Sequence, residues 1–161
     1  LITIQIDQML AEQFGMVYTD KDGKQKTPCI IHRTSIGCYQ RTLALIIEKF
    51  AGALPMWLAP VQIKVLPIGL DQHPYAEEVT AKLRAKGLRV ELDEREEKIG
   101  YKIREAQLQK VPYMLVLGAK EAAEGTVAVR DRKNGDAGCV PFEEFLARAV
   151  KETEEKYIEQ N

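Results

Sequence analysis

The chain has 161 residues, of which 45% are hydrophobic and 29% charged, and its formal net charge is −1. This composition predicts a packed core. The near-neutral charge argues against a protein that coats nucleic acid by bulk electrostatics, so a polyanion site has to be a local patch. No apolar run is long enough to cross a bilayer. Three cysteines, an odd number, predict free thiols and a cytoplasmic location.

The elements predicted for residues 1–53 are too few to form a stable domain by themselves. Alternation in LITIQID predicts a strand over 1–7. Asp22-Gly23 between two extended runs predicts a hairpin. Apolar residues at helical spacing then predict a helix ending near Gly52. These pieces bury too little surface to be stable alone. The chain also opens inside a strand without an initiator Met, so we expect a fragment of a longer protein.

A Pro-bounded linker over 54–60 is expected to lead into an α/β domain over 61–161. The pattern there alternates strands with helices, and the apolar run at 112–118 is typical of a central strand covered on both faces. The order β-α-β-α-β-β-α predicts a mixed sheet, parallel at its centre. The predicted strands are 61–68, 88–92, 112–118 and 126–132, and the predicted helices begin at His73, Glu97 and Phe142.

The search for catalytic motifs is mostly negative. The chain has no Gly-rich phosphate loop, no GxSxG and no HExxH. Cys29 and His32 are three positions apart, which puts them on opposite faces of an extended segment, so spacing alone makes a shared metal ion improbable. Arg33 and Arg41 flank a strand-to-helix turn, where arginines either hold phosphates or are simply solvated.

Charge is concentrated around the predicted helix 97–110. Acidic residues dominate 91–97, whereas the helix itself is basic. With Arg130 near a strand end and Tyr101 as a stacking surface, this helix would suit RNA. A solvated helix face is the alternative, since charge runs usually have that role. The basic residues of this region are Lys98, Lys102, Arg104, Lys110, Arg130 and Arg132.

Several segments together resemble the C-terminal part of the threonyl-tRNA synthetases, a class II aminoacyl-tRNA synthetase family. IHR…IG…R at 31–41 is similar to class II motif 3, and WLAPVQ at 57–62 is similar to the junction with the anticodon-binding domain. EKIGYKIRE at 97–105 and VPYMLVLG at 111–118 resemble that domain itself. The resemblance implies a five-stranded mixed sheet with three helices. An antiparallel β/helix remnant of the catalytic core would precede it.

The resemblance also implies roles for individual residues. In the catalytic remnant, Arg41 would contact ATP, Thr3 and Gln5 would line the substrate site, and His32 would be one of three zinc ligands. Gln40, Ala44 and Ser35 depart from the usual motif 3 residues. In the anticodon-binding domain, base-reading or phosphate-holding residues would be Arg104, Glu121, Arg130, Glu96, Lys98 and Lys102. Of these, Glu96 stands where Asn is common, Glu121 is expected in a loop, and Arg130 at a strand end.

The implied parent enzyme uses ATP and zinc, binds tRNA(Thr), is a homodimer and has no membrane partner. This chain lacks counterparts of motifs 1 and 2, so we expect no aminoacylation by it alone and no ATP or zinc bound to it. The alternative is a non-catalytic synthetase-like RNA-binding or accessory protein, which the altered motif 3 would suit.

Overall fold

The computed structural model describes residues 3–34 and 37–158. The chain divides into two compact units, Leu1–Ile46 and Ile47–Asn161. The division therefore falls inside a helix, earlier than the boundary expected at residue 53. Among the residues described, no helix has the length and apolar character needed to cross a membrane.

The first unit is built on an antiparallel pair of strands. β1 and β4 pair in a register that sets Thr3 opposite Thr34 and Gln5 opposite His32. The oxygen Oδ1 of Asp7 accepts hydrogen bonds from the backbone N–H groups of Met9 and Leu10, both at 2.9 Å, and so starts a short helix that the sequence did not predict. The elements are β1 Thr3–Asp7, α1 Met9–Gln13, β2 Tyr18–Thr19, β3 Gln25–Lys26 and β4 Ile30–Thr34.

Two turn predictions in this region are confirmed. β2 and β3 form a hairpin whose turn contains Gly23 at φ +73°. Helix α2, Tyr39–Lys49, is followed by Gly52 at φ +76°, whose N–H donates to the carbonyl of Ile47 at 2.9 Å. The first two residues of the predicted strand 1–7 lie outside the described residues, as does Ser35.

The second unit contains the predicted five-stranded mixed sheet. Its strand order is β6-β5-β7-β8-β9, with β6, β5 and β7 parallel and the last two strands antiparallel. The three predicted helices are present, and a six-residue helix, α5, is added between β7 and β8. The elements are β5 Ile63–Pro67, a 3₁₀ turn Leu70–Gln72, α3 His73–Ala85, β6 Val90–Leu92, α4 Ile99–Leu108, β7 Tyr113–Leu117, α5 Ala119–Glu124, β8 Thr126–Asp131, β9 Gly135–Pro141 and α6 Phe142–Glu154.

Helices cover the two faces of this sheet unequally. On one face α3 and α6 pack onto the main core, which includes Val65, Leu115 and Val127. On the other face α4 packs onto a smaller core around Leu66 and Met114. The central strand β7 is therefore covered on both sides, as its apolar run predicted.

The segment 54–60, expected to be a linker, is packed onto the second unit. Met56 is 2% exposed and belongs to the main core. Arg89 donates from Nε to the carbonyl of Ala59 and from Nη2 to that of Trp57, both at 2.9 Å. The segment is thus part of the domain that follows it.

Candidate nucleic-acid interface

The half of the sheet formed by β8 and β9 is open on the face that α4 covers elsewhere. Side chains alternate along a strand, so Val127 and Val129 enter the main core while their neighbours point to the opposite face. Cys139 lies directly opposite Ala128 and shares that face. We call this surface, which is at least partly exposed, the open face; its residues are Thr126, Ala128, Arg130 and Cys139.

Arg130 is the cation of the open face, and its side chain is 30% exposed. Its Nη1 lies 3.5 Å from Oδ2 of Asp136 on β9. Its buried Nε has no hydrogen-bond partner among the described residues. A buried donor left unpaired is costly, and the exposed remainder of this side chain is the part that a ligand can reach.

Glu121 borders the open face at the other end of β8. It lies in α5, where a loop was expected, and its Oε2 accepts a hydrogen bond from the backbone N–H of Gly118 at 2.9 Å. Its other oxygen, Oε1, lies 4.0 Å from Sγ of Cys139. One oxygen therefore caps the helix while the second faces the open face as an acceptor.

The segment joining β6 to α4 carries two further predicted residues, Glu96 and Lys98, and both are exposed. Arg95 anchors this segment, because its guanidinium binds Oδ1 and Oδ2 of Asp93 at 2.9 and 2.6 Å and Oε2 of Glu105 at 2.5 Å. The hydrogen bonds from Arg95 lower the pKa of both carboxyl groups below their usual values, against the opposing effect of burial.

The predicted basic helix is less basic at its surface than its sequence indicates. Arg104 is exposed on α4, as predicted, but Lys102 is 2% exposed and its ammonium donates to two backbone carbonyls. The phosphate-holding role predicted for Lys102 does not fit this burial. Arg132 likewise donates to the carbonyls of Leu54 and Lys110, at 2.9 and 2.8 Å.

Glu121 and Arg130 lie at opposite ends of the open face. Glu121 follows the carboxyl end of β7, whereas Arg130 lies opposite Met114 near the amino end of that strand. Met114 and Leu117, the last residue of β7, are three positions apart, roughly 10 Å along the strand. Arg130, the next-to-last residue of β8, therefore lies near a strand end, but at the opposite end of the sheet from Glu121. A surface of this length suits several unstacked bases of a single-stranded loop.

In the first unit, the predicted substrate residues share one side of a two-stranded ribbon. The β1–β4 register places Thr3, Gln5 and His32 on the same face, with Gln5 and His32 directly opposite each other. The other face carries Ile4 and Ile6, which are 64% and 68% exposed.

His32 does not form a zinc site with the residues described. No three His, Cys, Asp or Glu side chains among them are grouped so that they could hold a metal ion, and a protein zinc site needs three or four ligands. Cys29, its near neighbour in sequence, donates from Sγ to the carbonyl of Asp7 at 3.7 Å. The residues present therefore do not fit a complete zinc centre.

Arg41 lies in the first turn of α2 and is exposed. Beside it, Sγ of Cys38 donates to Oε1 of Gln40 at 2.6 Å. The backbone N–H groups of Arg41 and Gln40 lower the pKa of the Cys38 thiol. Ile36, part of the motif 3 resemblance, lies outside the described residues.

Comparison with protein families gives a match to the anticodon binding domain over residues 62–152, more than half of the chain. The chain belongs to the anticodon-binding domain family. The matched residues span the whole five-stranded sheet and all four helices of the second unit up to the last turn of α6. The open face, with Arg130 and Glu121, is therefore a surface of the anticodon-binding domain.

Relatives of known sequence and structure extend the similarity to the first unit. The chain is 61% identical to the threonine–tRNA ligase of Clostridium perfringens strain SM101 over 152 residues, which are 94% of this chain and 24% of that protein. It is 50% identical to the enzyme of Clostridium tetani over 98% of its own length and 25% of that protein. The chain thus spans about a quarter of these relatives. The RNA-binding domain of threonyl-tRNA synthetase from Cryptosporidium parvum Iowa II superposes with a TM-score of 0.75 at 35% identity, over 93% of this chain and 38% of that one.

Two residues on or beside the open face of the anticodon-binding domain were not predicted from the sequence. Asp136 and Cys139 lie on β9, whose two glycines, at positions 135 and 138, made this segment resemble a turn. Both glycines have positive φ, +75° and +86°, and Gly138 sits at a bulge opposite β8. A continued two-residue alternation after Gly138 was the only available signal of a strand.

Proposed function

We propose that the chain binds the anticodon loop of tRNA(Thr) on the open face, as the anticodon-reading part of a threonine–tRNA ligase. The observation that carries this proposal is the partly exposed side chain of Arg130, whose Nη1 lies 3.5 Å from Oδ2 of Asp136, because its guanidinium can donate to a base edge. Glu121 offers a carboxylate to base amino or imino groups. Arg104, Glu96 and Lys98, on α4 and the segment before it, are exposed and would add contacts to the RNA.

The division of labour follows from side-chain chemistry. The planar fork of arginine matches paired acceptors on a base edge, whereas lysine is a point charge suited to phosphate. Arg130 and Arg104 would therefore read bases, and Lys98 would hold the backbone. The near-neutral net charge of the chain is consistent with a local contact of this kind.

The binding proposal is tested with the 161-residue chain and two transcripts, tRNA(Thr) and the same tRNA with its anticodon replaced. Fluorescence anisotropy at two salt concentrations gives Kd for each. We expect tighter binding of the cognate transcript at both concentrations, since base contacts persist while phosphate contacts weaken. Equal affinity for the two transcripts would remove the base-reading role.

The longer protein would carry the chemistry of the relatives: activation of threonine with ATP and transfer to tRNA(Thr), in the cytoplasm and as a homodimer. The first unit would contribute Arg41 to ATP and the face of Thr3, Gln5 and His32 to the substrate side, with the remaining zinc ligands outside this chain. Because the chain spans about a quarter of those relatives, we expect no threonine-dependent pyrophosphate exchange from it alone. Exchange above a no-enzyme blank would contradict this.

The second candidate is a non-catalytic, synthetase-like accessory protein. The altered residues Gln40 and Ala44 favour it. However, 94% of the chain, including the first unit, matches a threonine–tRNA ligase at 61% identity, which favours the ligase.

A further inference from the structure

Lys102 is a buried lysine for which the proposed RNA contacts have no use. Its Nζ donates to the carbonyl of Pro67 at 3.2 Å and to that of Asp93 at 3.1 Å. Pro67 is the last residue of β5, and Asp93 follows the last residue of β6. One ammonium group on α4 therefore joins the carboxyl ends of two neighbouring strands. A buried ammonium is costly unless it is hydrogen-bonded, so this arrangement is specific.

The same helix holds the following segment through a second contact. Glu105, three residues after Lys102, accepts a hydrogen bond from Arg95, which also grips the carboxylate of Asp93. Residues 94–98, which we call the reading segment, leave the sheet at Asp93 and enter α4 at Ile99. Both anchors lie on α4, while the reading segment presents Glu96 and Lys98 to solvent.

We propose that Lys102 is a positioning residue for anticodon discrimination: it fixes the start of the reading segment so that Glu96 meets the anticodon bases in one geometry. The inference rests on the proposed function. Discrimination between bases depends on placing polar groups within about 0.5 Å of their productive position, and this precision comes from supporting contacts behind the residues that touch the ligand. Lys102 would act only through its hydrogen bonds to the carbonyls of Pro67 and Asp93, without contacting the RNA.

Lys64 provides a matched control. It is also a buried lysine, 6% exposed, that ties the sheet to α4, since its Nζ donates to Oε1 of Gln109 at 3.0 Å. This hydrogen bond, however, lies beyond the far end of α4 from the reading segment, and the ion pair of Lys64 with Glu91, at 3.6 Å, lies within β6, before that segment begins. Lys64→Met and Lys102→Met therefore remove the same group at comparable burial, but only Lys102→Met releases the reading segment.

The experiment measures Kd of the 161-residue chain, wild type and both variants, for tRNA(Thr) and its anticodon-replaced form. Hydrogen exchange of the reading segment is followed in the free proteins. We expect Lys102→Met to lower the ratio of the two affinities about tenfold and to speed exchange in residues 94–98. Lys64→Met should keep the wild-type ratio and the wild-type exchange of that segment.

A folded Lys102→Met variant with the wild-type ratio and unchanged exchange in the reading segment would overturn the inference. If this variant does not fold, Lys102→Arg decides, since it keeps the charge but displaces the donors: a wild-type affinity ratio would then overturn the inference. Absence of discrimination by the wild-type chain would instead refute the proposed function, so the two failures are distinguishable.

Discussion

Arg130 and Asp136 face each other across β8 and β9, with Nη1 3.5 Å from Oδ2 next to the bulge at Gly138. The carboxylate is largely exposed, and exposed pairs of this kind contribute at most about 1 kcal/mol. The guanidinium is therefore oriented by Asp136 but not held so strongly that a base could not replace it. This arrangement keeps an arginine available on the open face.

Replacing Arg130 by alanine should reduce anticodon discrimination. The loss of a bidentate base contact should reduce the binding free energy for the cognate tRNA by about 1–3 kcal/mol. The reduction should be much smaller for the anticodon-replaced form. Lys98→Ala should weaken the binding of both transcripts equally, because a phosphate contact carries no sequence information, and it should lower the salt dependence of that binding. Anisotropy titrations at two salt concentrations separate the two effects. An equal loss for both transcripts in Arg130→Ala would exclude base reading by this residue.

Glu121 should have two separable roles. Glu121→Ala removes the acceptor for the N–H of Gly118, so the free energy of unfolding should fall by about 1 kcal/mol. Glu121→Gln keeps an acceptor oxygen and most of that stability but removes the carboxylate from the open face. In Glu121→Gln, urea unfolding should therefore give a nearly wild-type free energy of unfolding, whereas RNA titration should show weaker anticodon discrimination. Unchanged discrimination in that variant would show that the carboxylate does not read a base.

The contacts of Arg95 predict a loss of stability in acid. The pKa of Asp93 is lowered in the folded state by its hydrogen bonds with Arg95. A carboxyl of this kind stabilises the fold fully above its unfolded pKa, and this stabilisation is lost as the pH falls through the lower, folded pKa. The melting temperature should therefore fall as the pH is lowered below the ordinary pKa range of carboxyl groups. In Asp93→Asn this fall should be smaller.

The control for the acid effect is Glu155→Gln. Glu155 lies 3.9 Å from Lys151 and is 59% exposed, so its removal should leave the acid limb of the stability curve nearly unchanged. If Asp93→Asn and Glu155→Gln give the same curve as the wild type, the contacts of Arg95 do not control acid stability.

Truncation should reveal the packing of the segment 54–60. A chain starting at residue 54 keeps Met56 in the main core and the contact of Arg89 with Ala59. A chain starting at residue 59 loses the buried Met56, a change that costs about 2–5 kcal/mol in comparable core deletions. Thermal melting should show both to be cooperative, with the shorter chain less stable. Identical melting temperatures would mean that the segment is only a linker.

The elements that could be predicted from the sequence are those whose burial leaves a periodic pattern. β7 is a continuous apolar run because helices cover it on both faces. Val127 and Val129 alternate with partly exposed residues because only one face of β8 is buried in the main core. β9 left almost no such pattern, because it is mostly exposed, has two glycines and is held chiefly by its pairing with β8.

The burial of Lys102 and the helical position of Glu121 were not predicted from the sequence, for one physical reason. Lys102 and Lys98 look alike in sequence, yet one is buried, because its partners are backbone carbonyls of Pro67 and Asp93 that only the folded sheet brings together. The helix around Glu121 has six residues and was too short to show a period. Long-range contacts, and not local propensity, determine both features.

Locating the bound anticodon on the domain tests the open-face assignment most directly. A tRNA(Thr) anticodon stem–loop with a photoreactive base in the anticodon can be cross-linked to the chain and the modified peptides identified. Cross-links should fall on peptides containing the reading segment, Glu121 and Arg130. The rival location is a cation-bearing cleft of about 630 Å³ lined by Tyr113, Arg148 and other residues. Cross-links confined to that cleft would contradict the assignment of the open face as the anticodon-binding surface.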